Sequence, residues 1–258
     1  MMTELFLMRW PKNISATYVN GATLRFNKNQ SVYYANEMLS PGQIICTWKS
    51  SSDYLSSGNV PTLPLLSLNK EYDLSFKLEA DNDLPVQIQI DFFDDEHEII
   101  QRFMSTDFCL NFIVPSGMVE YEIHLINLKH KWINFDYLMI NEAQENEFIV
   151  EKNFSQHYEW IYPRTSGKFT NKKAHIILNS GPRTILPISF QKDVPYNQIF
   201  VFTNGKDLEE LVNDLTIEFQ VNREYQLNMV AGMGFYTIPS EAIEKIKQDL
   251  NSSKMKRR

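Results

Sequence analysis

Four segments in the first half of the chain alternate apolar and polar positions with a period of two. Tyr72, Leu74, Phe76 and Leu78 alternate with Asp73, Ser75 and Lys77. Val86, Ile88, Ile90 and Phe92 alternate with Gln87, Gln89 and Asp91. Val119, Tyr121, Ile123 and Leu125 alternate with Glu120, Glu122 and His124. Phe135, Tyr137 and Met139 alternate with Asp136 and Leu138. A period of two places one face in a core and the other in water, the pattern of antiparallel strands. Turn residues separate the runs, at Asn20 and Gly21, Pro41 and Gly42, Ser57 to Asn59, Asp81 to Asp83 and Pro115 to Gly117. Amphipathic helical spacing is missing before residue 140. Many short strands with regular turns predict an antiparallel β-sandwich of jelly-roll type.

A polar, acidic run from Asn141 to Glu147 reads as a linker. It divides the chain into a sandwich over 1–143 and a smaller α/β extension over 144–258, a candidate docking domain. In the extension, 174–178, 184–190, 198–203 and 225–230 read as strands. Asp207 with Glu210 three residues on predicts a capping box before Leu208, Leu211, Val212 and Leu215. Pro239 and Ser240 predict the start of a second helix with Ile243, Ile246 and Leu250 on one face. Strands alternating with helices make this part α/β.

Composition narrows the function classes. The 258 residues are 43% hydrophobic and 22% charged, enough apolar content for a real core. The formal net charge of −7 argues against a general nucleic-acid binder. The basic end, Lys254 to Arg258, reads as a solvated terminus. Cys46 and Cys109 both have apolar neighbours, and both read as reduced core residues. The start of the chain lacks a basic stretch followed by a long apolar run, and no stretch approaches the roughly 18 apolar residues of a membrane span. The expected location is the cytoplasm.

Catalytic motifs find little support. Gly232 and Gly234 follow a strand, but the full dinucleotide fingerprint is absent and the helix starts several residues later, so a structural turn is expected. Asp91, Asp94, Asp95 and Glu96 could supply a glycosidase pair or calcium ligands. The alternative is an acidic hairpin turn at a strand end. The histidines, His97, His124, His130, His157 and His175, lack metal-site spacing. His124 falls on the face of Glu120 and Glu122 and is expected to be wet. No cofactor and no metal are expected.

The block over 40–66 differs from the rest. Trp48 sits on a strand, Tyr54 in a serine-rich loop, and Pro61, Leu63, Pro64, Leu65 and Leu66 form a stiff apolar segment. Trp48, Ser50 and Tyr54 are candidate substrate contacts, their flat rings and hydroxyls suiting sugar or polypeptide. Whether Trp48 faces core or surface is open at this point. Leu63, Pro64 and Leu65 are candidate partner contacts.

This block resembles the third and smallest accessory secretory protein family of the accessory Sec system in Gram-positive bacteria. The resemblance rests on Pro41, Gly42, Ile45, Trp48 and Ser50, on Tyr54, and on Pro61, Leu63, Pro64, Leu65 and Leu66. Residues 14–21, read as an opening strand, Tyr72, and residues 90–94 extend it over roughly 8–142. It implies a β-sandwich like a carbohydrate-binding module, without catalysis of its own. It implies two larger accessory secretory proteins as partners, together with the accessory SecA motor ATPase. The implied substrate is a serine-rich repeat glycoprotein, an adhesin. Membrane contact is implied only through the translocase, and nucleic acid is not among the partners. The part after 145 is outside the resemblance. The competing readings are a stand-alone carbohydrate-binding module and a carbohydrate-active enzyme using Asp91, Asp94 or Glu96.

Overall fold

The computed structural model describes residues 2–51, 60–83, 85–143, 148–165, 172–191 and 194–255. It divides into two compact units. One comprises Thr3–Ala143 with Thr184–Ser189, the other Gln144–Arg183 and Phe190–Arg258 with the first two residues.

The early part of the chain supplies ten strands to the first unit: β1 Met2–Met8, β2 Thr23–Phe26, β3 Val32–Ala35, β4 Ile44–Lys49, β5 Glu71–Ala80, β6 Val86–Phe93, β7 Ile99–Ser105, β8 Cys109–Ile113, β9 Glu120–Asn127 and β10 Trp132–Glu142. The strands of the later half are β11 Phe148–Phe154, β12 Tyr158–Thr165, β13 Lys173–Ser180, β14 Ile185–Gln191, β15 Asn197–Thr203 and β16 Gln226–Ala231. The first sheet is seven-stranded, with β10 at its centre: β1 and β3 pair with β10, and β5 pairs with β10 and β8. Strand β14 joins this sheet beside β1, so a segment from the later half of the sequence completes the first unit. The second sheet has the order β4-β9-β6-β7. In both sheets the strands β1 to β10 pair antiparallel.

The core lies between the sheets and follows the alternation. Tyr72, Leu74, Phe76 and Leu78 are buried along β5, as are Val86, Ile88, Ile90 and Phe92 along β6. Tyr121, Ile123 and Leu125 are buried along β9, but Val119, expected on the same face, lies before the strand and is exposed. At its centre Trp10, Trp48, Phe76 and Phe135 pack ring to ring, with centroids 5.3–6.1 Å apart. Contacts of this kind add to the area each ring buries. Trp48 is fully buried, and its Nε1 donates to the Arg9 carbonyl at 2.8 Å. The open question of Trp48 is answered by this packing: its ring is core.

Several expectations are corrected. In β10 the alternation changes phase. The register shifts between Phe135 and Tyr137 against β5, so Leu138 and Ile140 are buried while Tyr137 and Met139 are only partly so. A β-bulge adds one residue and moves every later side chain to the other face. Residues 14–21 do not form a strand. Ile14–Ala16 is a short 3-10 turn capped by the Asn13 side chain, and only Thr17 bridges to Cys46. Asn141 and Glu142 end β10 rather than begin a linker. Both cysteines are free, but Cys109 is exposed on β8 and only Cys46 is core.

The second unit carries a five-stranded sheet of order β11-β12-β15-β13-β16. The hairpin β11–β12 was not legible in the alternation. Strand β13 runs parallel to both β15 and β16, as crossover connections require. Helix α1, Leu208–Leu215, continues into a π-helical stretch at Thr216–Val221, and helix α2 spans Ser240–Met255. Leu211, Leu215, Ile243, Ile246 and Leu250 pack in one core with β13 and β15. The predicted capping box is absent. Asp207 adopts a left-handed conformation, φ 51°, and makes no side-chain cap, its carboxylate lying 3.8 Å from His157. The loop at Gly232 is a turn: its amide donates to the Leu178 carbonyl, and the Met233 amide to Asn179 Oδ1. A Cβ on Gly232 would collide with the Asn179 side chain.

Replacing Trp48 with alanine empties the centre of the sandwich. A loss of about 3–5 kcal/mol of unfolding free energy is expected. Urea denaturation of the W48A variant checks it, and a loss below about 1 kcal/mol would contradict the core assignment.

Candidate functional site

Because Trp48 points inward, its neighbours Thr47 and Lys49 point outward. The same rule turns Glu120, Glu122 and His124 of β9 to the outer face. The register then sets them side by side: Thr47 opposite His124, and Lys49 opposite Glu122. On the other side of β9, Gln89 lies opposite His124 and Asp91 opposite Glu122. Arg102 of β7 faces Asp91. One row across four strands therefore reads Lys49, Glu122, Asp91, Arg102.

A cleft of about 770 Å³ opens over the β4 and β9 part of this face. Its floor is Thr47, Lys49, Glu120, Glu122 and His124, and residues 11–13, Ser51, Thr62 and His97 help to wall it. That volume falls in the range of about 300–1,000 Å³ typical of small-molecule sites.

The polar groups on this face are paired across strands. Lys49 Nζ contacts Glu122 Oε1 at 2.5 Å, and Thr47 Oγ1 contacts His124 Nδ1 at 3.0 Å. Glu120 takes contacts from His97 and from the Ser51 hydroxyl. His124 Nε2 lies 3.5 Å from Asp91 and 3.6 Å from Glu122. The residue expected to be wet is 5% exposed, because its neighbours on both adjacent strands cover it. Burial lowers the His124 pKa, and the carboxylates of Glu122 and Asp91 offset this only in part. The imidazole is neutral at pH 7.

Asp91 is committed elsewhere. Arg102 donates to both carboxylate oxygens, at 2.5 and 2.8 Å, and Gln89 donates at 2.9 Å. Burial pulls its pKa up, but these hydrogen bonds and the Arg102 charge outweigh it, and the net shift is down. Asp94 accepts from the backbone amides of Glu96 and Glu98 and so organises the β6–β7 turn. The acidic run is thus a hairpin end, with the carboxylates of Asp91 and Asp94 holding structure.

The expected contact residues of 40–66 separate. Trp48 lies in the core, and Ser50 is buried, its Oγ accepting from the Tyr121 amide at 2.7 Å. Tyr54 lies outside the described residues. Leu63 is buried, Pro64 is buried with its carbonyl accepting from Tyr121 Oη, and Leu65 is 84% exposed. The cleft residues were missed because their meeting depends on strand register. The one signal available was that His124, Glu120 and Glu122 share a face. Among the described residues no cluster of histidine, cysteine or carboxylate groups is arranged to hold a metal.

A second buried histidine, His130, also has its pKa lowered by burial. For both histidines the unfolded chain takes up protons first as pH falls through the ordinary value of 6.5. Stability is full above 6.5 and is lost as pH drops from there toward the lower folded values. The denaturation midpoint at pH 5.5 is expected below that at pH 7.5, with the drop reduced in the H124Q and H130Q variants. An unchanged drop in both would contradict the assignment.

Residues 17–142 match the sequence model of the family described as accessory Sec secretory system ASP3. The accessory Sec system protein ASP3 of Streptococcus gordonii is 28% identical over 129 residues, covering 50% of this chain and 81% of that protein. A chain in the crystal structure of accessory secretory proteins 1, 2 and 3 of Streptococcus pneumoniae is 28% identical, with a TM-score of 0.51. That likeness covers 53% of this chain and 95% of the other. A chain of the glycosylation-associated Gap123 complex of Streptococcus agalactiae matches over 96% of this chain and 67% of its own length, with a TM-score of 0.52. Its 20% identity speaks to fold alone. Residues 17–142, most of the sandwich, are thus the part of the chain that is similar to the accessory Sec secretory system ASP3 family.

Proposed function

We propose that the chain is a non-catalytic subunit of the accessory Sec export machinery, working in the cytoplasm. In this reading it binds two larger accessory secretory proteins. With the accessory SecA motor ATPase it engages a serine-rich repeat glycoprotein, and it meets the membrane only through the translocase. The observation that carries the reading is the ASP3-family match over 17–142, joined to the likeness with a chain in the structure of accessory secretory proteins 1, 2 and 3. The commitment of Asp91 to Arg102, and of Asp94 to its turn, supports a role without catalysis. Among the described residues no helix is long and apolar enough to cross a membrane.

Leu65 is the side chain of the apolar segment best placed for a partner. Leu63 and Leu66 anchor the segment in the core, and Tyr121 Oη holds the Pro64 carbonyl at 2.7 Å. This presents Leu65 at 84% exposure on a chain that is already ordered. Little conformational entropy is then lost when it is covered. The extension over 144–258, outside the residues that the family model matches, serves in this reading as a docking domain.

Affinity purification of the tagged chain from its native cell tests the reading. Accessory Sec components are expected to co-purify. The L65D variant is expected to recover about fivefold less partner at an unchanged melting temperature. A purification yielding no accessory Sec component would overturn the proposal.

A further inference from the structure

We propose that the loops at the carboxyl ends of β13 and β16 form an anion site that holds the phosphate group of a small ligand, with Arg183, Ser180 and the amides of Gly234 and Tyr236 as donors. The site lies wholly in the second unit and outside residues 17–142, so it stands apart from the export-subunit reading.

The sheet sets the place. Strand β13 lies between β15 and β16 and runs parallel to both, so the three strands end at one edge. In open α/β sheets ligands bind outside the carboxyl ends of the strands. Here β13 ends at Ser180 and β16 at Ala231. The Ser180 amide donates to the Met233 carbonyl at 2.9 Å, which draws the two following loops together. Buried Asn179 fastens them. Its Oδ1 accepts from the Met233 amide at 2.7 Å, and its Nδ2 donates to the Val201 carbonyl of β15 at 3.2 Å.

Arg183 supplies the charge. Its Nε donates to the Ser180 carbonyl at 2.9 Å, and Nη1 reaches Met233 Sδ at 3.1 Å. These contacts hold the guanidinium along the loop and occupy only part of its five-donor fork. Nη2 has no partner among the described residues. The carboxylate of Glu159 accepts from the Arg183 backbone amide and leaves the guanidinium unpaired.

Gly234 brings the donors to one point. Its φ of 65° is in the left-handed region, and a 3-10 turn, Phe235–Thr237, follows it. Backbone that changes hand in this way turns successive N–H groups toward one concavity, which suits an anion. The amides of Gly234 and Tyr236 donate to no carbonyl among the described residues. A Cβ on Gly234 would lie 3.0 Å from Ser180 Cβ and 3.1 Å from Arg183 Nη2. The serine, the guanidinium and the glycine backbone therefore meet at a single spot. Ser180 Oγ also has no partner among the described residues.

The number of donors selects the anion. A carboxylate presents two oxygens, and the fork of one arginine satisfies both. A guanidinium, a hydroxyl and two amides call for more acceptors. A phosphate monoester brings three strong acceptor oxygens and a charge of about −1.5 to −2 at pH 7. Because Arg183 is already pinned, little side-chain freedom is lost on binding. Tyr236, 89% exposed and two residues from Gly234, offers an aromatic face to a ring carried on the phosphate.

Titration of the 15N-labelled full chain with inorganic phosphate, at constant ionic strength, tests the site. Shifts are expected at the amides of Gly234 and Tyr236 and at the Arg183 Nε–H, with a dissociation constant of about 1–10 mM. Acetate is expected to bind about fivefold more weakly. R183Q is expected to weaken phosphate binding about tenfold and S180A about threefold, at unchanged melting temperature. R183K keeps the charge without the fork and is expected to fall between, and it carries the test if R183Q loses stability. K77A removes a lysine from β5 in the other unit and should leave binding unchanged. AMP distinguishes the source of the group. Binding tighter than inorganic phosphate, with the gain lost in Y236A, assigns the site to an aromatic phosphate ester, and equal or weaker binding assigns it to free phosphate. No shift at these groups with about 50 mM phosphate would overturn the proposal. So would the same shifts with chloride, acetate binding as tightly as phosphate, or binding indifferent to both Arg183 variants.

Discussion

The inward-facing ring of Trp48 is the constraint on which the rest of the sandwich turns. It packs against Trp10, Phe76 and Phe135, rings drawn from the other sheet and from the chain leading out of β1. Its indole nitrogen is satisfied by the Arg9 carbonyl, so the ring is buried without an orphaned donor. With that ring fixed, the pleat leaves β4 no freedom. Thr47 and Lys49 must face outward, and they meet the outward residues of β9 at the set register. The core thus builds the cleft, although none of the four rings belongs to it.

The charges on that face do little for stability. Exposed pairs such as Lys49 with Glu122 contribute about 0–1 kcal/mol each. Their value lies in position. Each carboxylate is held by a side chain on a neighbouring segment, Glu122 by Lys49 and Glu120 by Ser51 and His97. Asp91 lies one strand further on and is held more tightly, by a two-point contact with Arg102. That contact separates two carboxylates that face each other across β6 and β9. Asp91 is held from two sides by Arg102 and Gln89, while Glu122 lines the cleft.

The second unit follows a different logic. Strands β15 and β16 both run parallel to β13, and the connection between them carries α1, while α2 follows β16. Between β13 and β15 the chain also supplies β14 to the first sheet. The two units are therefore not two consecutive stretches of sequence. A cut at residue 143 would remove an edge strand from the sandwich along with the α/β part.

Fold class was legible in the sequence because alternation is a local property. Tyr72 to Leu78, Val86 to Phe92 and Tyr121 to Leu125 all went to the core as their period demanded. The two later helices were legible for the same reason, through the spacing of Leu211 and Leu215 and of Ile243, Ile246 and Leu250. Local pattern failed where geometry was not local. The bulge in β10 changed the phase after Phe135, and a bulge leaves no mark on composition. Asp207 had the residue type of a cap but not its backbone conformation. The 40–66 block identified the family, yet its tryptophan went inward and, of the three candidate partner contacts, Leu65 alone stayed exposed. The candidate site itself was decided by tertiary structure. A sequence says which residues share a face of one strand, but strand order and register decide which strands lie side by side, and these are set by packing across the whole sandwich.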